Sequence, residues 1–237
     1  MSEVLSDAVV VVAGAGGGAG AAAVRQLAAA GATVVMADTS AERLDPLAEE
    51  VTAAGGRAVG YPVDLLDEAA TKAWARSVVD RFGRVDGVVH LVGGWRGGKG
   101  IVESDLADWA LLSDLLIRTV QHTTRAFHDV LRASPAGRFV LISAAAASRP
   151  TADNAAYAAA KAAAEAWTLA VADSFKGSQA AATVLVVKAL LTPAMRAAKP
   201  EGKFTGFTDV EDLAEEIVSL WDKPAAEVNG ARLWLTN

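Results

Sequence analysis

Ala8-Val9-Val10-Val11-Val12-Ala13, followed at once by Gly14-Ala15-Gly16-Gly17-Gly18-Ala19-Gly20, is the stretch that decides the fold. The β-branched run reads as a strand. The glycines behind it let the chain turn tightly and let backbone approach a ligand with no Cβ in the way. Alanine-rich sequence then predicts a helix over Gly18–Ala30. The uncharged run Ala8–Val24 also has nearly the length of a leader or membrane span. A leader opens with positive charge, yet Glu3 and Asp7 come first here. A span needs about 20 strongly apolar residues, and this run is interrupted by five glycines. It is read as neither, and an intracellular, cytoplasmic protein with no membrane partner is the expectation.

The same alternation continues outward from this stretch. Further strands are predicted at Thr33–Ala37, Arg57–Tyr61, Gly87–Val92, Arg138–Ile142, Thr183–Val187 and Arg232–Leu235. Helices are predicted at Ala41–Ala54, Asp67–Phe82, Asp105–Arg132, Asn154–Phe175 and Val210–Trp221. Most strands are continuously apolar, as strands buried on both faces of a parallel sheet are. Strand and helix alternating throughout imply the α/β class: a Rossmann-like, doubly wound parallel sheet of about seven strands. No linker or repeat divides residues 1–237, so one domain is expected. With 22 Lys and Arg against 28 Asp and Glu, the chain carries a net charge of −6. That balance lacks the basic footprint of a nucleic-acid binder. The absence of Cys excludes disulfides, thiolate metal sites and a cysteine nucleophile.

Strand, glycine loop and helix in that order suit a pyrophosphate, which the helix N-terminus receives with free N–H groups. An acidic residue closes the second strand: Asp38 follows Val34-Val35-Met36-Ala37, 18 residues after Gly20 and near the usual offset of about 20. Its carboxylate accepts ribose hydroxyls and repels a 2′-phosphate. No Arg or Lys lies in the loop or directly after Asp38, which favours NAD over NADP; Arg43 sits a helical turn further on. Gly97-Gly98-Lys99-Gly100 lacks the Ser or Thr of a Walker loop.

Tyr157-Ala158-Ala159-Ala160-Lys161 adds chemistry. Four residues apart on a helix, Tyr157 and Lys161 share a face. A tyrosine working near neutral pH needs its pKa lowered by roughly three units, or about 4 kcal/mol. An ammonium about 4 Å away at an effective dielectric near 20 supplies about that much. Tyr157 is thus a candidate general acid/base, tuned by Lys161. With this pair, the loop Ala13-Gly14 through Gly18-Ala19-Gly20, Asp64 in Val63-Asp64-Leu65, and the ending Val228-Asn229-Gly230, the chain resembles the compact short-chain dehydrogenase/reductases over essentially its whole length. The resemblance implies hydride transfer between a nicotinamide and a small alcohol or carbonyl substrate, in a homodimer or homotetramer. It places Gly14, Gly18, Ala19, Gly20, Asp38, Asp64, Leu65, Gly93 and Thr192 around the cofactor, with Lys161 on the nicotinamide ribose.

The pattern is incomplete. The family serine, 13 residues before the tyrosine, is Ala144, and the helix asparagine aligns with Leu116. Ser143 is adjacent, but neighbours on a strand point to opposite faces, so it serves as a catalytic substitute only if the strand end is shifted or bulged. Besides the oxidoreductase, two other readings therefore stand: a dinucleotide-binding protein with little or no turnover, and a non-redox dehydratase or isomerase. His90, His122 and His128 lack carboxylate-rich ligand spacing; they are read as structural, with no metal site. Trp95, in Gly93-Gly94-Trp95-Arg96-Gly97-Gly98, is either a substrate lid or a loop anchor. The apolar face of Asp105–Arg132 is read as core or oligomer contact.

Overall fold

Val9–Ala13 forms strand β1 and Gly18–Ala29 helix α1, with the glycine loop between them. Thr33–Asp38 (β2), Ala41–Ala53 (α2), Arg57–Pro62 (β3), Glu68–Phe82 (α3) and Gly87–His90 (β4) complete the first half. These bounds come from a computed structural model that describes residues 5–235; Glu3, used above against a leader, lies outside them. Leu106–Ser113 (α4), Thr119–Ala133 (α5), Arg138–Ala144 (β5), Ala155–Ser174 (α6) and Ala181–Val187 (β6) follow. The chain continues through Leu190–Leu191 (β7), Pro193–Ala198 (α7), Thr208–Asp209 (β8), Val210–Ser219 (α8), Ala225–Val228 (α9) and Arg232–Trp234 (β9). Seven strands make one sheet in the order β3-β2-β1-β4-β5-β6-β9, and every recorded pairing in it is parallel.

The continuous apolar runs have the cause expected of them. Val10 and Val12 face a core with Leu27, Leu44 and Leu213 from α1, α2 and α8. Val9 and Val11 face a second core with Trp74, Phe127 and Phe175 on the opposite side. With both faces covered, neither set of alternate side chains has water to meet. None of the described helices is long and apolar enough to cross a membrane.

Several element bounds differ from expectation, most by one or two residues, and three of the differences shape the site. β4 stops at His90 rather than Val92, because Leu91 and Val92 pass over the glycine loop: a Cβ on Gly14 would lie 2.9 Å from the Leu91 carbonyl carbon. β5 runs on to Ala144, held by pairing of Ser143 with Val186 and Ala144 with Val187. The helix expected over Asp105–Arg132 is broken by a π-helical segment, Asp114–Arg118, between α4 and α5. Leu116 sits within that segment and is buried. No Pro or Gly marks the change, so sequence periodicity passes over it.

Candidate active site

The glycine loop closes as its composition requires. Gly14 has φ +81°, a conformation that L side chains rarely adopt. A Cβ on Gly20 would stand 2.2 Å from the Gly14 carbonyl oxygen, so α1 packs onto the loop only with glycine there. The Gly14 and Ala15 N–H groups donate to Ala37 O, fixing the loop to the end of β2. Gly17, the N-cap of α1, offers no side-chain cap, and the first turn carries no acidic residue. The helix N-terminus is therefore left to an anion from outside. Thr192 caps α7, and its methyl group abuts Gly18: a Cβ there would come within 2.8 Å.

Beside the loop lies a cavity of about 470 Å³ lined by Gly14, Asp38, Asp64, Leu65 and Gly93, which were singled out from the sequence, together with Arg43. Asp64 accepts the Leu66 N–H at 2.9 Å, and the Leu65 carbonyl receives His122 Nδ1 at 2.9 Å, so both residues are held in place. Asp38 accepts the Gly16 N–H at 3.1 Å with one carboxylate oxygen and meets Arg43 at 2.5 Å with the other. Arg43 is thus not remote, as its sequence position suggested. It lies in the first turn of α2, where side chains lean toward the helix N-terminus, and it folds back over the strand end. The residues of loop and cavity fit a dinucleotide.

A second cavity, of about 520 Å³, shares Leu91, Val92 and Gly93 with the first. Tyr157, Lys161, Ser143, Ala19 and Trp95 border it, together with Asn154 and Lys188, which sequence reasoning passed over. The Lys161 ammonium donates to Ile142 O at 2.8 Å and stands 5.9 Å from the centre of the Tyr157 ring. Burial lowers its pKa to about 8, opposed by the charge of Glu165. Tyr157 departs from expectation: burial raises its pKa, so in the protein alone the phenol is held protonated. Desolvation of the ring outweighs an ammonium that is turned toward a backbone carbonyl.

Ser143 borders the cavity of Tyr157, but its hydroxyl is engaged elsewhere. Its hydroxyl donates to Glu165 Oε1 at 2.5 Å, and Glu165 Oε2 meets Arg232 at 2.7 Å. Regular pairing through Ala144 supplies no shift or bulge to redirect it. Glu165 was missed, although its position four residues after Lys161 put it on the face already marked; nothing in the sequence points to Arg232. The three histidines are dispersed: His90 on Thr119, His122 on Leu65 and His128 between Asp129 and Ser174. Burial lowers the pKa of His90 to about 3 and keeps it neutral. Among the described residues, no group of three or more His, Cys, Asp or Glu is placed to hold a metal ion. Trp95 is 56% exposed at the cavity edge, and its loop is tied to the 3-10 turn Ala152–Asn154, just before α6, by the Gly98 N–H on Asp153 O.

A glycine loop at the head of a doubly wound sheet, with its cavity adjoining that of a Tyr/Lys pair at Leu91, Val92 and Gly93, is the arrangement of a dinucleotide-binding protein of the dehydrogenase type. Residues 8–202 match the sequence model of the short chain dehydrogenases, and the chain belongs to that family. It is 28% identical to the 7alpha-hydroxysteroid dehydrogenase of Escherichia coli (strain K12) over 137 residues, 58% of this chain and 53% of that one. It is 30% identical to (2S)-[(R)-hydroxy(phenyl)methyl]succinyl-CoA dehydrogenase subunit BbsD of Thauera aromatica over 117 residues, 49% and 47% of the two chains. The chain spans about half the length of the curated relatives it matches. Among solved structures, a short-chain type dehydrogenase/reductase from Mycobacterium ulcerans matches 99% of this chain and 90% of its own, with TM-score 0.89 and 25% identity. A metagenomic short-chain oxidoreductase in complex with NADP matches 98% and 97%, with TM-score 0.82 and 27% identity.

Proposed function

We propose that this chain is an NAD(H)-dependent oxidoreductase that interconverts a small alcohol and its ketone. The observation that carries the reading is that the cavity of Tyr157 and Lys161 adjoins the cavity of Gly14 and Asp38, sharing Leu91, Val92 and Gly93 with it. Gly14, Gly18, Ala19 and Gly20 hold the pyrophosphate, Asp38 the adenosine ribose, Asp64 and Leu65 the adenine side, and Gly93 and Thr192 the nicotinamide side. The bound nicotinamide supplies or takes up the hydride. Tyr157 gives its proton to the carbonyl oxygen in reduction and recovers it in oxidation. Held protonated by burial, its phenol suits the first role. Lys161 faces the ring and stabilises the phenolate left behind, while its bond to Ile142 O fixes the ammonium.

NAD is proposed over NADP because the Asp38 carboxylate is where a 2′-phosphate would sit, though Arg43 narrows the margin by neutralising it. A homodimer or homotetramer is part of the same reading; the exposed Ile101, Val102 and Leu106 before and within α4 support it. The test is NADH oxidation over a panel of ketones, with Tyr157→Phe expected to lose about 10²–10⁴-fold in rate. Undiminished activity in Tyr157→Phe overturns the mechanism.

Ala144 and Leu116 favour a second reading, a dinucleotide-binding protein with little turnover. Both positions are apolar and buried, so neither offers a donor to the reacting oxygen. Tight NADH binding without oxidation of NADH by any ketone in the panel selects it.

A further inference from the structure

We propose that Lys188 recognises a carboxylate on the substrate, so that the compound accepted is an apolar alcohol or ketone bearing one acidic group. This rests on the oxidoreductase reading above for the place of the substrate. Lys188 follows directly on β6 and borders the cavity of Tyr157 and Lys161. The rest of that border is largely apolar, with Leu91, Val92, Trp95, Ile142, Val187 and Leu190. The two lysines differ in what they have to give. Lys161 is buried and committed to Ile142 O, and it faces the catalytic ring. Lys188 is exposed to the cavity and donates to the Thr205 carbonyl at 3.1 Å. Among the described residues it has no carboxylate within ion-pairing distance.

An ammonium keeps three donors, and one carbonyl uses one of them. In a trough lined by apolar side chains, an unneutralised cation discriminates between ligands: it favours an anion, and it costs a neutral ligand the water it displaces. The surrounding segment carries the same sign. Residues 188–203 hold Lys188, Arg196, Lys199 and Lys203 against Glu201 alone, in a chain whose net charge is −6. Arg196 is taken up by Asp209. The other two lysines are exposed and leave the segment with a net positive charge. A single point charge without a bidentate fork suits one carboxylate.

Calorimetric titration of the protein with 3-phenylpropanoate and with 3-phenylpropanamide, with and without saturating NADH, tests this directly. The two probes share an apolar body and differ in charge. The acid is expected to bind the wild type at least tenfold more tightly than the amide, which is about 1.4 kcal/mol. The preference should vanish in Lys188→Met and persist in Lys188→Arg, while the affinity for NADH is the same in all three proteins. Equal binding of the two probes, no binding of the acid, or a preference that survives in Lys188→Met overturns the proposal. So does a loss of NADH affinity in Lys188→Met without any acid preference in the wild type, which assigns the lysine to the cofactor phosphates. The titration without NADH decides the matter even for a protein that oxidises nothing, so failure of the oxidoreductase reading shows separately, in the ketone panel.

Discussion

Ser143 spends its hydroxyl on Glu165, and the residue next to it, Ala144, has none to offer. The strand end therefore commits its polar side chain to bracing α6. Tyr157, Lys161 and Glu165 occupy successive turns of that helix, so they form one row: acid, ammonium, carboxylate. Arg232, on the edge strand β9, closes the row from the far side. The charge alternation gives the buried Lys161 a counter-ion without neutralising it by direct contact.

Glu165→Gln should move the pH dependence of turnover. The Glu165 charge supports the ammonium of Lys161 against burial, which sets its pKa at about 8. Without that charge the Lys161 titration falls further, and the rate of ketone reduction should decline from a lower pH than in the wild type. The variant should also lose about 1–2 kcal/mol of stability. That is less than the 3–5 kcal/mol of a fully buried pair, because Arg232 stays partly in water. The check is a pH profile of kcat/KM beside a urea denaturation. A destabilised protein with an unmoved profile would reduce Glu165 to a brace.

Lys161→Met should change how stability varies with pH. The pKa of Lys161 lies at about 8 in the fold against an ordinary value of 10.5, so the unfolded chain binds the additional proton between those limits. Where the unfolded state binds more protons, stability rises with pH by up to about 1.4 kcal/mol per unit. The wild type should therefore gain on Lys161→Met by about 3 kcal/mol in total as pH rises through that window. Parallel denaturation curves across it would show that burial does not hold the ammonium as described.

The sheet was legible because its signal is redundant: β1, β2, β5 and β6 each carry four to six apolar residues, and one misplaced boundary alters nothing. Asp38, Tyr157 and Lys161 were legible because their spacing along strand or helix fixes their direction. The contacts that tune the site were not. Arg43 reaches Asp38 by folding a long side chain backward, and Arg232 reaches Glu165 across 67 positions of sequence. The π-helical segment at Asp114–Arg118 adds no unusual residue to announce it. Lys188 lies in a loop, and its place on the cavity depends on where β6 stops.

Ala144→Ser should raise turnover. The position is buried at the paired end of β5, one residue from the bond between Ser143 and Glu165. Loss of one donor to a reacting oxygen usually costs about 10²–10³-fold in rate. Restoring a hydroxyl there should recover at least about tenfold in kcat with little change in KM. Steady-state kinetics with the most active ketone of the panel decides it. No gain, together with tight NADH binding and no detectable wild-type turnover, is the outcome expected of a binding protein.

Arg43→Ala should sharpen cofactor choice. In the wild type the guanidinium stands 2.5 Å from Asp38, more than half exposed, and it both masks the carboxylate and offers a cation to a 2′-phosphate. Removing it leaves the Asp38 charge uncompensated toward that phosphate, and like charges a few ångströms apart repel by about 1 kcal/mol or more at the protein surface. The ratio of kcat/KM for NADH over NADPH should rise by about tenfold, and Asp38→Ala should lower it by at least as much. Where turnover is too slow, calorimetric Kd values for the two reduced cofactors give the same ratio. A ratio indifferent to both substitutions would mean that the adenosine ribose does not lie against Asp38, and the assignment of the cavity beside the glycine loop would fall with it.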